Sequence, residues 1–472
     1  MPTLTVGLRR RPVLTNAGNR RPQPAMTPDT LAPAASDVCG RELTDSGGHQ
    51  VAVIGAGIVG AMVALALQRD DHQVTLIEPG EPGGEQAASF GNGAWLSPAS
   101  VVPMSTPGLW KKLPGYLSDA DGPLVIRWPA LPGLLPWLLR FLWAGHSVAR
   151  VEATARALSV LLRDAPQRHL QHAARAGVAD LVVQRGLLYL YPDRAALQAE
   201  ALSWRLRRDN GVQWAELEGP ALRELLPDVD PRYGLGIRVA AGAHCLDPGA
   251  YVAALVRQAV AEGARVVRAR ATGFVFEGTR LAAVRTDQGE VACGRAVIAA
   301  GIASAALARP LGDRIPLASE RGYHVVLANA PVRLSLPVMP SDGKMAMTPT
   351  RGGLRVAGQV ELAALSAAPD WRRAELLARF ARRMFPALNA GTAAGIDADA
   401  ASPTSRWLGH RPSTPDGLPV IGPSPAHPDI LHAFGHGHVG LAAAPATAEL
   451  VADLLAGRRP AIDPRPYRAD RF

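Results

Sequence analysis

The stretch Val51-Ala-Val-Ile54-Gly55-Ala56-Gly57-Ile58-Val59-Gly60 constrains this chain more than any other. Val51–Ile54 is a short apolar run, as a buried parallel strand should be. Residues 58–68 carry small and apolar side chains at helical spacing, and Val74-Thr-Leu-Ile77 is a second apolar run. Strand, helix and strand thus fit within about 28 residues, the compact βαβ unit. Within it the glycines have distinct tasks. Gly55 permits the tight turn, Gly57 lets the backbone approach a pyrophosphate, and Gly60 lets the helix pack close to the strand. Ala56, Ile58 and Val59 supply the rest of the expected binding turn, at a helix start whose free N–H groups favour phosphate. Glu78 ends the second strand, 18 residues after Gly60. An acid there can accept both ribose hydroxyls of an adenosine and would repel a 2′-phosphate. The competing reading is an ordinary βα turn with a surface glutamate.

With 472 residues the chain has room for two or three domains. Apolar content of 48% and charged content of 19% fit a globular enzyme. Cys39, Cys245 and Cys293 lie far apart, so neither a disulfide framework nor a structural zinc site is expected. The net charge of +9 resides at the ends. Residues 1–26 carry five arginines and no acid, and Arg458–Phe472 carry five arginines against Asp463 and Asp470. A near-neutral body with basic ends does not fit a nucleic-acid enzyme, which should show basic stripes on its folded surface. The apolar run from Leu131 to Gly145 is about 15 residues and is broken by Arg140, short of the ~20 a membrane span needs. The amino terminus lacks the apolar core of a secretory signal.

The βαβ unit alone does not separate FAD from NAD. Three features favour FAD. The site opens the ordered chain. A second glycine-rich block, Ser89-Phe-Gly-Asn92-Gly93, follows the acid directly, and another strand ends in Ala299-Ala-Gly301. A flavin dinucleotide is long, and several turns must touch it, so Ser89, Asn92, Gly93 and Gly301 are expected to line it.

The sequence resembles the FAD-dependent amino acid oxidoreductases, which include D-amino-acid dehydrogenase, D-amino-acid oxidase and glycine oxidase. The matching stretches are VAVIGAGIVG, SFGNGAWLSP, VVPMSTPGL, AVIAAGIAS, ERGYH, GHRPSTPDGLPVIGPSP and AFGHGHVGLAAAPATAELVADLLAG, from about Val51 to Ile462. The bacterial D-amino-acid dehydrogenase branch is nearest, through SFGN and the stretch LPGLLPWLLRFLWAG. The resemblance implies FAD as cofactor and an amino acid as substrate.

Three segments carry the expected chemistry. Arg411 stands in RPSTPDG, on a backbone constrained by prolines, and arginine can hold a carboxylate by two parallel hydrogen bonds. The resemblance gives Arg411 that role toward the substrate; the alternative is a structural arginine paired with Asp416. Gly435-His436-Gly437-His438-Val-Gly440 joins the last strand to the last helix. Its N–H groups, or a protonated imidazole, could stabilise negative charge on a reduced flavin. Metal binding by the two histidines competes, but no third ligand stands nearby. Glycine oxidase-like relatives can carry arginine at the His438 position, so histidine here departs from that pattern. Tyr323 and His324 point to opposite faces of a strand. The resemblance puts Tyr323 over the substrate; a sheet-core aromatic is the other reading.

The expected fold is α/β, a Rossmann-like FAD-binding domain interleaved with a second α+β substrate domain built on an antiparallel sheet. Residues 1–48 are read as a disordered extension. The FAD-binding domain takes 49–104, 247–315 and 401–460, the substrate domain takes 105–246 and 316–400, and 461–472 form a basic tail. The expected reaction is oxidative deamination by hydride transfer from the α-carbon to flavin N5, with Arg411, Tyr323 and His438 at the reacting end. Oxidation of a secondary amino acid (sarcosine, glycine or a proline derivative) and a non-catalytic flavin-binding protein are the alternatives. The exposed-looking apolar run Leu131–Trp143 suggests a quinone or electron-transfer acceptor and a peripheral contact with the inner face of the plasma membrane; a cytoplasmic location without that contact is the simpler case.

Overall fold

The computed structural model describes residues 49–112, 115, 122, 124–392 and 403–472. The expectation of disorder for 1–48 lies outside the described residues. The chain opens with β1 (Gln50–Ile54), α1 (Ile58–Gln68) and β2 (Gln73–Ile77). Then come α2 (Leu131–Ala144), β3 (Leu187–Tyr191), β4 (Leu235–Val239), α3 (Pro248–Ala261), β5 (Arg265–Val267) and β6 (Arg295–Ile298). Four strands and a helix follow: β7 (Ala318–Leu327), β8 (Val338–Pro340), β9 (Ala346–Thr350), β10 (Gly353–Leu362) and α4 (Arg372–Met384). The last elements are β11 (Ser405–Ser413), β12 (Val420–Pro423), β13 (Ile430–Phe434) and α5 (Gly440–Leu455).

Two sheets organise these elements. The first has six strands in the order β5-β2-β1-β6-β13-β12, parallel except for the β13–β12 pair. Its central strands are apolar on both faces because both are covered, one by helices and the other largely by a small antiparallel sheet that brings in Leu281 and Val284. On one face α1 packs against α5 and α3, with Ala61, Leu65, Leu255 and Ala444 fully buried. The glycines close this unit tightly. Gly55 has φ +104°, and a Cβ there would stand 2.6 Å from the Ala299 carbonyl oxygen. A Cβ on Gly60 would stand 1.8 Å from the Gly55 carbonyl oxygen, so α1 could not pack this close with any other residue.

The second sheet has nine strands: it runs β11-β7-β10-β9-β8-β3-β4 and on to Ala215–Glu218, with Leu124–Ile126 paired to β10 off this path, and it is antiparallel along the path except for the β8–β3 pair. Val325, Val356, Leu377 and Ala381 join it to α4 on one face. Its other face, with Gly322, Ala357, Ala346, Met339 and Tyr189, borders the large cavity. One expected boundary shifts. The sequence reading gives 401–460 whole to the FAD-binding part, but Ser405–Ser413 is the edge strand of the antiparallel sheet, paired along β7. The basic end of the chain is docked: Tyr467 is buried and donates to the Ala157 carbonyl (2.7 Å), and Arg471 binds Asp416.

Helix α2 buries Trp137 and Leu138 but leaves Leu135, Leu139 and Trp143 exposed by 49%, 59% and 59%. It is therefore half core and half surface. Among the described residues no helix is long and apolar enough to cross a membrane.

Candidate active site

A single cavity of about 1160 Å³ runs from the α1 turn to the second sheet. That exceeds the roughly 300–1,000 Å³ of an ordinary small-molecule pocket, and leaves room for a long dinucleotide together with a small substrate. At one end it is lined by Gly55, Gly57, Ile58, Val59 and Glu78. A Cβ on Gly57 would meet only Ser89 Oγ, at 3.4 Å, so this glycine keeps open the space beside the helix start. Ser89 Oγ accepts the Ile58 N–H at 3.0 Å, which ties the second glycine-rich block to the first. Glu78 is buried rather than on the surface. Its carboxylate accepts from the Ala56 N–H (2.8 Å) and the Gly80 N–H (3.0 Å). Those bonds fix the carboxylate at the end of β2, where a ribose would meet it.

Asn92, Gly93 and Gly301 line the middle of the cavity, and Asn92 Oδ1 holds its own loop by accepting the Ala94 N–H at 2.8 Å. The far end is built by Gly435, His436, Gly437, His438 and Gly440, at the start of α5. That helix start has no side-chain cap. His436 shares a hydrogen bond with Thr447 Oγ1 at 2.9 Å, and burial pushes its pKa down to about 3. His438 opens into the cavity, yet burial and the nearby Arg411 charge hold its pKa down to about 4. Both imidazoles are neutral near pH 7. Of the two expected sources of positive character, the helix start is the one that the geometry offers.

Arg411 projects from β11 over the second sheet. Its Nη1 donates to the Gln359 carbonyl (2.9 Å) and Nη2 to the Gly358 carbonyl (3.4 Å). Glu320 faces it across the β7–β11 register, without an ion pair within 4.0 Å. Burial raises the Glu320 pKa and lowers that of Arg411. The structural pairing with Asp416 is not formed, because Arg471 takes both oxygens of Asp416 at 2.8 and 3.2 Å.

Tyr323 is the site residue that the structure places elsewhere. It is 1% exposed, donates to Glu361 Oε2 (2.7 Å), accepts the Asp370 N–H (3.0 Å) and packs beside α4. Strand alternation gave it one of two faces, and the pairing of β7 with β10 and β11 gives the cavity face to Gly322 instead. Ala56 and Gly60 act behind the cavity wall rather than in it. Sequence reasoning missed Gln359, which turns its carbonyl toward Arg411 from a left-handed backbone (φ +60°), and Gly322, which makes room for the guanidinium. A glycine inside a strand pattern signals such a close approach; Gln359 carries no sequence signal. Trp95, Tyr189, Arg207 and Met339, also in the cavity wall, were missed as well.

A cradle at Gly57, an acid at the end of β2 and a second anchoring turn at the start of α5 fit a flavin dinucleotide. The protein family described as FAD dependent oxidoreductase (DAO) matches residues 50–454. The chain belongs to this family. It is 50% identical over 425 residues to the D-amino-acid oxidase of Bradyrhizobium diazoefficiens, covering 90% of this chain and 99% of that protein. It is 34% identical to D-amino acid dehydrogenase 2 of Ralstonia nicotianae, covering 89% and 100%. Among solved structures, glycine oxidase from Geobacillus kaustophilus shares the fold with a TM-score of 0.66 at 22% identity, covering 90% of this chain and 99% of that one. FAD is therefore the cofactor, and the chain is an oxidoreductase of this family.

Proposed function

We propose that this chain oxidises a D-amino acid to the imino acid, which hydrolyses in water to a 2-oxo acid and ammonia. The observation that carries this reading is the Arg411 guanidinium, held by two backbone carbonyls at the cavity wall and not paired with Asp416. The carboxylate is the group common to all amino acids, and a planar fork fixes both its position and its plane. The D configuration is supported by the names of the relatives at 50% and 34% identity.

FAD, when bound, supplies the two-electron acceptor that takes the α-hydrogen as hydride. The chain's own residues supply position. Arg411 anchors the carboxylate, and such orientation can account for much of the rate. Loss of hydride from the α-carbon needs the nitrogen lone pair free to form the C=N bond, so the amine must arrive deprotonated, and turnover should rise with pH. The start of α5 lends its amides to negative charge that builds at that end of the cavity.

The acceptor that regenerates the oxidised enzyme is, in this reading, a quinone or electron-transfer partner rather than oxygen. Leu135, Leu139 and Trp143 recur every four residues on the outer face of α2, beside exposed Trp128, while Phe141 of the same helix lines the cavity. Arg140 on the same helix is also exposed. Such a face suits peripheral contact with a membrane interface. The test is anaerobic addition of D- and L-amino acids followed by an acceptor. Loss of the oxidised flavin spectrum with the D-isomers, release of ammonia and faster reoxidation by a quinone analogue than by oxygen are expected. Reduction by neither isomer would overturn the amino acid reading, and equal reoxidation would overturn the acceptor.

A further inference from the structure

The cavity holds a second guanidinium whose charge the proposed chemistry does not use. Arg207, on the helix Ala201–Asp209, lines the wall and is 9% exposed. Its guanidinium stacks 5.0 Å from the Tyr189 ring centre and 4.5 Å from that of Trp204. Nε donates to the Ala99 carbonyl at 3.1 Å, which fixes the plane of the group. Nη1 is buried and has no hydrogen-bond partner. Among the described residues no carboxylate lies within 4.0 Å of it. The nearest acid in the wall, Glu200, is occupied on both oxygens, by Lys344 and by the Tyr191 hydroxyl. This end of the cavity therefore holds an immobilised cation, stacked on two rings and paired with no acid. A ligand carboxylate that reached this wall would supply the missing counter-charge.

The two guanidinium groups are separated along the second sheet. That of Arg411 rests over Gly322 of β7 and the carbonyls of β10. Arg207 sits over Tyr189 of β3, three strands on in the order β10-β9-β8-β3. At about 4.8 Å per strand this is roughly 14 Å from the β10 carbonyls and roughly 19 Å from Gly322 of β7. An extended five-carbon dicarboxylate gripped at each end by a guanidinium fork needs roughly 13 Å between the two forks, from ordinary bond lengths and charge-assisted hydrogen-bond distances.

We propose that Arg207 binds the side-chain carboxylate of the substrate, so that the preferred substrate is a D-amino acid with a terminal carboxylate at least as far out as that of glutamate. The inference rests on the amino acid reading above. Arg411 takes the α-carboxylate, Met339 and the Tyr189 ring flank the methylene chain, and Arg207 closes the far end. D-Aspartate is one methylene too short to reach both forks.

The experiment compares D-glutamate, its neutral isostere D-glutamine, D-aspartate and D-alanine on the FAD-loaded protein, native and Arg207→Met, with Arg207→Lys as a second variant. In the native enzyme kcat/KM for D-glutamate should exceed that for D-glutamine at least tenfold, and that for D-aspartate should also be lower. Arg207→Met should lower the D-glutamate value at least 30-fold, mostly through KM. D-alanine turnover and FAD content should stay within threefold of native, and Arg207→Lys should recover part of the D-glutamate preference. Equal use of D-glutamate and D-glutamine by the native enzyme would overturn the proposal, as would equal losses for D-glutamate and D-alanine in Arg207→Met. Brisk D-alanine turnover with no glutamate preference would overturn this inference and leave the amino acid reading standing. Failure of all four to reduce the flavin would overturn both.

Discussion

Gly322 lies directly beneath the Arg411 guanidinium: a Cβ at position 322 would stand 2.3 Å from Nη2 and 2.5 Å from Cζ. The strand that carries Gly322 is buried along its whole length, so the guanidinium cannot be accommodated by bending the sheet. Gly322→Ala should therefore displace the flexible end of Arg411 rather than disrupt the fold. The expected result is a loss of about one to three decades in kcat/KM, since misplacement by about 1 Å can cost that much. FAD content and Tm should stay close to native. Flavin absorbance and a thermal melt, read beside the kinetics, check this.

Gly57 faces open space, and the nearest group to a Cβ placed there would be Ser89 Oγ at 3.4 Å. Gly57→Val should leave the apoprotein folded yet unable to retain FAD, because its methyls would fill the approach to the pyrophosphate. Near-native circular dichroism with a colourless preparation is the expected outcome. A yellow variant with stoichiometric FAD would contradict it.

Burial holds His169, His324 and His436 at pKa values of about 4, 4 and 3, below the ordinary 6.5. Each binds a proton in the unfolded chain below pH 6.5 while staying neutral in the folded one. Their contribution to stability is thus present above pH 6.5 and is lost as pH falls toward 4, by at most about 1.4 kcal/mol per pH unit for each histidine. Tm should fall steadily from pH 6.5 to 4.5. His169→Gln, which can keep one of the bonds to Tyr251 or the Leu441 carbonyl, should flatten that slope. A Tm independent of pH over this range would contradict the account.

The outer face of α2 gives a prediction about surfaces. Leu139→Glu and Trp143→Glu remove exposed apolar groups and should leave stability nearly unchanged. Co-sedimentation with anionic lipid vesicles should drop severalfold, while turnover with a water-soluble dye acceptor stays native. Equal sedimentation of native and doubly substituted protein would remove the membrane contact.

The parts of this molecule that were legible in its sequence are those whose demands are local. Gly55 and Gly60 are required by a turn and by a helix crossing within six residues, so the βαβ unit could be read from its own segment. Arg411 was legible because prolines and a motif surround it. Tyr323 was not, because which face of β7 meets the cavity depends on register with strands 35 and 85 residues away. Gln359 was invisible for a related reason. A left-handed backbone at a non-glycine residue is imposed by its surroundings, and no residue type announces it. Arg207 is one arginine among many on an ordinary surface-type helix, and its lack of a partner exists only once the chain is folded. The docked carboxyl-terminal tail was hidden likewise, since its arginines read as a free basic end until Arg471 meets Asp416.

The central claim is that Arg411 holds the substrate carboxylate against the flavin end of the cavity. Rapid-mixing measurement of flavin reduction by a D-amino acid under anaerobic conditions, in native protein and Arg411→Met, tests it most directly. Two charge-assisted hydrogen bonds at about 1.5–3 kcal/mol each correspond to a loss of roughly two to four decades in the second-order reduction rate. The variant should keep full FAD content. The amide of the same amino acid should reduce the native enzyme poorly and lose little more in the variant. Equal reduction rates for native and Arg411→Met, or equal use of acid and amide by the native enzyme, would contradict the account.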